Sequence, residues 1–222
     1  MTIAVKICGL TSAGAADAAA RLGAMYGGLV FHPASPRNLS LDAARPIAEA
    51  MRGRLQTVAL IADRSDDEIA AIIAVTRPDY LQLHGEETAA RTAAIRARFG
   101  VSVIKALPVA EAADLEAAAA YAAVADMLLF DARAPRGAER AGGHGIAFDW
   151  TLLNGRRFTR PWFLAGGLGP DNIQRAIRAS GAELADVSSG VESAPGVKDA
   201  GLIGQLMAAV HLVHSADDTV QA

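Results

Sequence analysis

Cys8 is the one cysteine among 222 residues, and it closes a short apolar run that is followed at once by Gly9. Asp131 closes a second apolar run, directly after Phe130, and His84 closes a third, after Gln82 and Leu83. A thiol, a carboxyl and an imidazole at the ends of apolar runs are groups that can carry protons to and from a substrate. The first two have a plainer reading. A lone cysteine behaves as a small buried hydrophobe, and an aspartate after an apolar run can cap a loop or helix. A carboxylate inside a core needs pairing, which makes Asp131 an unusual core residue.

Charge inside the apolar runs adds to this. Lys6 shares one side of its run with Ala4 and Cys8, while Asp186 and Ser188 share one side of the last run. An isolated charge there would be costly, so Lys6 is predicted to meet Asp186, with Lys105 as a second candidate partner. Two glycine-rich stretches follow late in the chain, Gly166-Gly167 and Ser188-Ser189-Gly190. Glycines let backbone amides approach a phosphate, and serine hydroxyls add donors. Arg37 ends the stiff stretch His32-Pro33-Ala34-Ser35-Pro36 and offers a fork suited to a carboxylate. The plain alternative is an arginine facing water.

These residues need a frame that brings separate run ends together. Eight runs suited to strands occur at 3–8, 26–31, 55–61, 80–84, 101–105, 127–131, 162–165 and 184–187. The mean repeat is about 28 residues, enough for a strand, a loop, a helix and a return. Helices are predicted over 13–22, 41–51, 66–75, 89–99, 110–124, 171–179 and 199–212, with a short sixth-unit helix at 149–153. Ser40 is the expected cap of the second, Gly100 the stop of the fourth, and Asp171 opens the seventh unit's helix or caps it. Eight strand–helix units in series predict one α/β domain over residues 1–222, a (β/α)8 TIM barrel whose chemistry lies at the C-terminal ends of its strands. The polar tail 215–222 is expected to fray. The long irregular stretch 132–148 then falls on the catalytic face. An open dinucleotide-binding sheet should show G-x-G-x-x-G after its first strand; Cys8-Gly9-Leu10-Thr11-Ser12-Ala13-Gly14 does not fit.

Composition narrows the partners. Hydrophobic residues are 52% of the chain, which excludes a disordered chain, and much of that fraction is alanine, a helix former. Net charge is −3 and aromatics are 5%, so nothing reads as a nucleic-acid footprint. The cluster Arg156, Arg157 and Arg160 is expected to face water. One cysteine excludes an internal disulfide and a cysteine-rich metal site. No signal-peptide pattern or uncharged run of membrane-spanning length is present, so the expected setting is the cytoplasm, with no membrane partner. Alanine-rich outer helices leave monomer and dimer equally open.

Taken in order and spacing, these residues resemble the phosphoribosylanthranilate isomerases of tryptophan biosynthesis, over nearly the whole chain. The resemblance is carried by Lys6-Ile7-Cys8-Gly9-Leu10, Phe31 with Ser35-Pro36-Arg37, Gln82-Leu83-His84-Gly85, Asp131, and Gly142-Gly143 with Gly145. Phe148-Asp149-Trp150, Leu164-Ala165-Gly166-Gly167-Leu168, Ser188-Ser189-Gly190-Val191-Glu192 and Gly196 with Lys198-Asp199 complete it. His32 and His144 are mild departures.

The resemblance implies an Amadori rearrangement of N-(5-phosphoribosyl)anthranilate to 1-(2-carboxyphenylamino)-1-deoxyribulose 5-phosphate. It implies Cys8 as general base, Asp131 as general acid, Arg37 near the anthranilate carboxylate, and a phosphate held by Gly166, Gly167, Ser188, Ser189 and Gly190. His84 is counted with the substrate-binding residues, where it would order the site or hydrogen-bond a neighbour rather than transfer protons. Such acid–base chemistry calls for no metal and no organic cofactor, only a small phosphorylated substrate. As base, Cys8 must be a thiolate; from an ordinary pKa of about 8.5 a modest lowering suffices, with Lys6 as the nearby cation. Asp131 would need the opposite shift, which partial burial can supply. An indole-glycerol-phosphate synthase would need a lysine–glutamate set on a longer chain. An isomerase acting also on the histidine-pathway aminoaldose would use paired aspartates, where strand one here ends in Cys8. A barrel that only binds a phosphometabolite would not need both Cys8 and Asp131.

Overall fold

The computed structural model describes residues 3–133 and 147–217. The eight apolar runs form eight strands: β1 (Ala4–Cys8), β2 (Tyr26–Phe31), β3 (Gln56–Ile61), β4 (Tyr80–Leu83), β5 (Ser102–Val109), β6 (Met127–Ala132), β7 (Trp162–Leu164) and β8 (Leu184–Val187). Each pairs in parallel with the next, and β8 pairs with β1, so the sheet closes in chain order. Parallel closure puts all eight C-terminal ends at one mouth.

Strand alternation divides the core in two. Ala4, Tyr26, Val58, Ile104, Ala106, Met127, Leu129, Phe163 and Ala165 fill the barrel interior. The Tyr26 ring meets Phe163 edge to face at 5.2 Å. The intervening strand residues, among them Ile7, Leu29, Ile61, Leu81 and Leu128, pack outward against the helices.

The helices are α1 (Ala13–Arg21), α2 (Leu41–Met51), α3 (Asp66–Thr76), α4 (Ala89–Phe99), α5 (Ala118–Ala122), α6 (Ile173–Ser180) and α7 (Ala200–Asp217). Ser12, Ser40, Ser65 and Thr88 cap the first four, each accepting the backbone N–H three residues on. Such a cap contributes about 1 kcal/mol. Gly100 stops α4 in the left-handed conformation, as expected.

Several expected boundaries move. β5 runs on past Lys105 to Val109. The continuous helix expected over 110–124 is instead a 3-10 turn, Ala112–Ala117, followed by the short α5. The Asp114 carboxylate draws in the N–H groups of Ala110 and Glu111, and Leu115 is the one buried large side chain of the turn, among alanines that bury little area. The sixth unit has a 3-10 turn, Trp150–Leu153. α6 begins at Ile173 rather than at Asp171, because Asn172 turns back to the preceding loop. α7 continues through Asp217, into the segment expected to fray. Residues 134–146, with Gly142, Gly143, His144 and Gly145, lie outside the described residues, as does 218–222.

After β8 come a 3-10 turn, Ser189–Val191, and a hairpin of β9 (Glu192–Ala194) and β10 (Val197–Lys198). This hairpin reaches over the start of the barrel, where Thr11 Oγ1 donates to the Gly196 carbonyl at 2.6 Å.

Candidate active site

Cys8 ends β1 with its side chain inward, buried at 5% exposure. One strand over, Gly28 makes room for it: a Cβ there would lie 3.0 Å from the Cys8 Sγ. Beneath it, Lys6 is fully buried, and its Nζ donates to Asp186 Oδ1 at 3.0 Å. The two are register partners across the β1–β8 seam, so the expected pair forms. Lys105 is not its partner. It lies on the outward side of β5 and gives Nζ to Glu87 Oε2 at 2.9 Å and to the Gly85 carbonyl at 2.7 Å.

The electrostatics correct one expectation. Burial pushes the Cys8 thiol up, and the neighbouring Lys6 and Lys198 only partly offset this. The net direction is opposite to the lowering expected from Lys6. Burial would lower Lys6 in turn, but Asp186 and Cys8 outweigh it and its pKa is raised.

Asp131 sits in β6 at the same mouth, 8% exposed, with Oδ1 accepting the N–H of Ala132. His84 Nε2 lies 3.2 Å from Asp131 Oδ2, and Gln82 Nε2 lies 2.9 Å from His84 Nδ1. Gln82 and His84 are two residues apart on one strand face, so the amide orients the ring that orients the carboxyl. When Gln82 donates to Nδ1, the ring proton is on Nε2 and faces Asp131. Gly166 fits beside this group with φ +89°; a Cβ there would lie 2.6 Å from the Ala132 nitrogen and 3.1 Å from Asp131 Oδ1.

The two glycine-rich stretches meet. Gly190 packs so closely on the Leu168 carbonyl and Gly169 that a side chain would collide. Asn172 ties the first loop, accepting from Gly169 N at 2.9 Å and donating to the Gly167 carbonyl at 2.8 Å. Gly166, Gly167, Ser188, Ser189 and Gly190 are all half-buried. Ser188 Oγ donates to the Cys8 carbonyl at 3.0 Å, joining this region to β1.

Arg37 does not face water. It is 5% exposed, packed against Gly9, whose φ of +80° leaves no room for a side chain beside the arginine stem. Its Nε and Nη2 donate to Glu192 Oε1 and Oε2, both at 2.6 Å. Lys198 Nζ also donates to Glu192 Oε1 at 2.6 Å and to the Ser188 carbonyl at 3.0 Å. Burial pushes Glu192 up, but hydrogen bonds from the two cations prevail and hold it below the usual carboxylate range. Burial lowers Lys198 despite Glu192. Glu192, Lys198, Gln82, Gly9 and Gly28 had no assigned role from sequence. A charged pair beside Gly196 in a short polar segment is a weak signal, and the Arg37 that Glu192 also binds is 155 positions away.

Among the described residues, no group of three or more His, Cys, Asp and Glu is set to hold a metal ion, and no helix is long and apolar enough to cross a membrane. Arg156 and Arg157 are exposed and Arg160 half-buried, away from the mouth.

Residues 5–209 match the family model described as N-(5′-phosphoribosyl)anthranilate isomerase. The chain belongs to this family. An isomerase of that name from Rhodopseudomonas palustris is 54% identical over 203 residues, 91% of this chain and 93% of the relative. Among solved structures, the phosphoribosylanthranilate isomerase of Thermotoga maritima superposes with a TM-score of 0.84 at 34% identity, covering 95% of this chain and 99% of that one. That of Thermus thermophilus gives 0.81 at 34% identity, over 95% and 100%. The expected barrel and the expected activity, the Amadori rearrangement of phosphoribosylanthranilate in tryptophan biosynthesis, both stand.

Proposed function

We propose that this single-domain barrel isomerises N-(5-phosphoribosyl)anthranilate with Asp131 as general acid and Cys8 as general base. The observation that supports the pairing most is the Gln82–His84–Asp131 chain, which aims one carboxyl at the mouth where the buried thiol also ends its strand. Asp131 gives its proton to the furanose ring oxygen as the bond from C1′ to that oxygen breaks, and the anthranilate nitrogen forms an iminium with C1′. The Cys8 thiolate takes the proton from C2′, and the resulting enolamine tautomerises to the ketose. His84 orders Asp131. The phosphate rests on Gly166, Gly167, Ser188, Ser189 and Gly190, and the anthranilate carboxylate meets Arg37. A lone reduced thiol at work suits a cytoplasmic setting.

The test follows the loss of substrate fluorescence in wild type, Cys8→Ala and Asp131→Asn. Each variant is expected to lose roughly a hundredfold to ten-thousandfold in kcat. Unchanged turnover in either one removes that residue from its role. Arg37→Met raises KM while the fold persists, since Lys198 still neutralises Glu192.

A further inference from the structure

Arg37 and Lys198 share one carboxylate. Their side chains are 7% and 0% exposed, and that of Glu192 is 4% exposed. One buried anion between two buried cations leaves an excess positive charge, and burying unmatched charge is costly. A purely structural pair would need one cation only. The excess matches the charge of one incoming carboxylate.

The geometry also says which atoms stay available. A guanidinium has two edges that can hold a carboxylate by paired hydrogen bonds, Nε with Nη2 and Nη1 with Nη2. Glu192 occupies the first edge at 2.6 Å on both bonds. No described residue bonds to Nη1. The stem is fixed as well: Gly9 leaves it room, and the Arg37 N–H donates to Ser35 Oγ at 3.2 Å.

We infer that Glu192 is a positioning residue, which locks the Nε edge of Arg37 and turns its Nη1/Nη2 edge toward the substrate carboxylate, with Lys198 bracing Glu192 against the phosphate loop. This rests on the reading of Arg37 in the preceding subsection. The brace is the Lys198 contact to the Ser188 carbonyl, next to the Ser188 bond to β1. Both ends of the substrate are thereby tied through one carboxylate. Specificity for a carboxylated aryl amine depends on Glu192, a group that need not touch the substrate.

The test compares two inhibitors: the reduced product analogue bearing the 2-carboxyphenylamino group, and its phenylamino counterpart without the carboxyl. The readout is the ratio of their inhibition constants, which a general loss of fold quality would leave alone. Wild type favours the carboxylated ligand. Glu192→Gln is expected to cut that preference by about tenfold or more, the worth of a charged hydrogen-bond pair, while the phenylamino ligand binds nearly as before. Should that variant fail to fold, Glu192→Asp decides by the same ratio, since it keeps the charge but is one methylene short of spanning both cations. Equal weakening of both ligands overturns the inference. A preference lost in Arg37→Met but kept in the Glu192 variants overturns it and leaves the Arg37 reading standing. A preference kept in Arg37→Met overturns both.

Discussion

The Lys6 ammonium lies 3.0 Å from Asp186 Oδ1, and the two residues face each other in register where the barrel closes. The pair is sealed, with side-chain exposures of 0% and 8%. Lys6→Met strands the Asp186 charge, and the expected loss is about 3–5 kcal/mol. Adding Asp186→Leu should recover most of it, because a matched apolar pair leaves no orphan charge. Denaturant unfolding of the two singles and the double checks this; an additive double variant would show that the pair is not coupled.

Lys6 also sets a pH dependence of stability. Its folded pKa is raised, burial being outweighed by Asp186 and Cys8. The folded state thus holds its proton longer than the unfolded state. That stabilisation is complete below the ordinary lysine value of about 10.4 and is lost as pH rises through the higher folded value. Burial raises Cys8 likewise, so its contribution falls off in the same direction from about 8.5 upward. Unfolding free energy should therefore hold through neutral pH and decline from about pH 8.5 upward, less steeply above about 10.4 in Lys6→Met. A flat profile would contradict both shifts.

The same burial bears on Cys8 as the proposed base. A thiol held up by burial is mostly protonated in the free enzyme at neutral pH. The ascending limb of kcat/KM against pH should lie above about 8.5, the ordinary thiol value. Thiolate absorbance should titrate over that range in wild type and vanish in Cys8→Ala. A limb below neutral pH would mean that the cations around Cys8 outweigh its desolvation.

Strand ends were the legible part of this site. Cys8, His84 and Asp131 stand out because each closes an apolar run, and parallel closure brings the ends of such runs together. Lys105 misled for the same reason. A lysine after Val103 and Ile104 reads as the end of a strand, yet the strand continues to Val109 while the long stem carries the ammonium out to Glu87. The fifth helix was illegible because alanine's propensity favours a helix that its small side chain cannot anchor. Glu192 was beyond reach for another reason: its partner Arg37 is 155 positions away, and no local pattern encodes that contact.

Gly166 packs the loop proposed to hold the phosphate against Asp131, the proposed acid. Its φ is +89°, and a Cβ would stand 2.6 Å from the Ala132 nitrogen, against backbone that cannot swing aside. Gly166→Ala should cost about 1–3 kcal/mol from strain and overpacking. It should also shift the end of β6 that carries Asp131, lowering kcat. Thermal unfolding together with steady-state kinetics checks both; a variant with wild-type kcat would show that Asp131 tolerates this displacement.

Glu87 clasps the turn that presents His84. Its Oε1 accepts the N–H of Asp63 at 2.8 Å, and its Oε2 accepts the N–H of Gly85 at 3.0 Å and Lys105 Nζ at 2.9 Å. Glu87→Ala leaves Lys105 buried without its counter-ion, at an expected cost of about 3–5 kcal/mol. Glu87→Gln keeps the shape and removes the charge; its cost should be about 1.5–3 kcal/mol, the worth of a charge-assisted hydrogen bond, since Lys105 retains the Leu83 and Gly85 carbonyls. Because the clasp holds Gly85, next to His84, both variants should lower kcat in the order Ala more than Gln. Stability lost with kcat intact would place His84 under the control of Gln82 alone, through the 2.9 Å contact to its Nδ1.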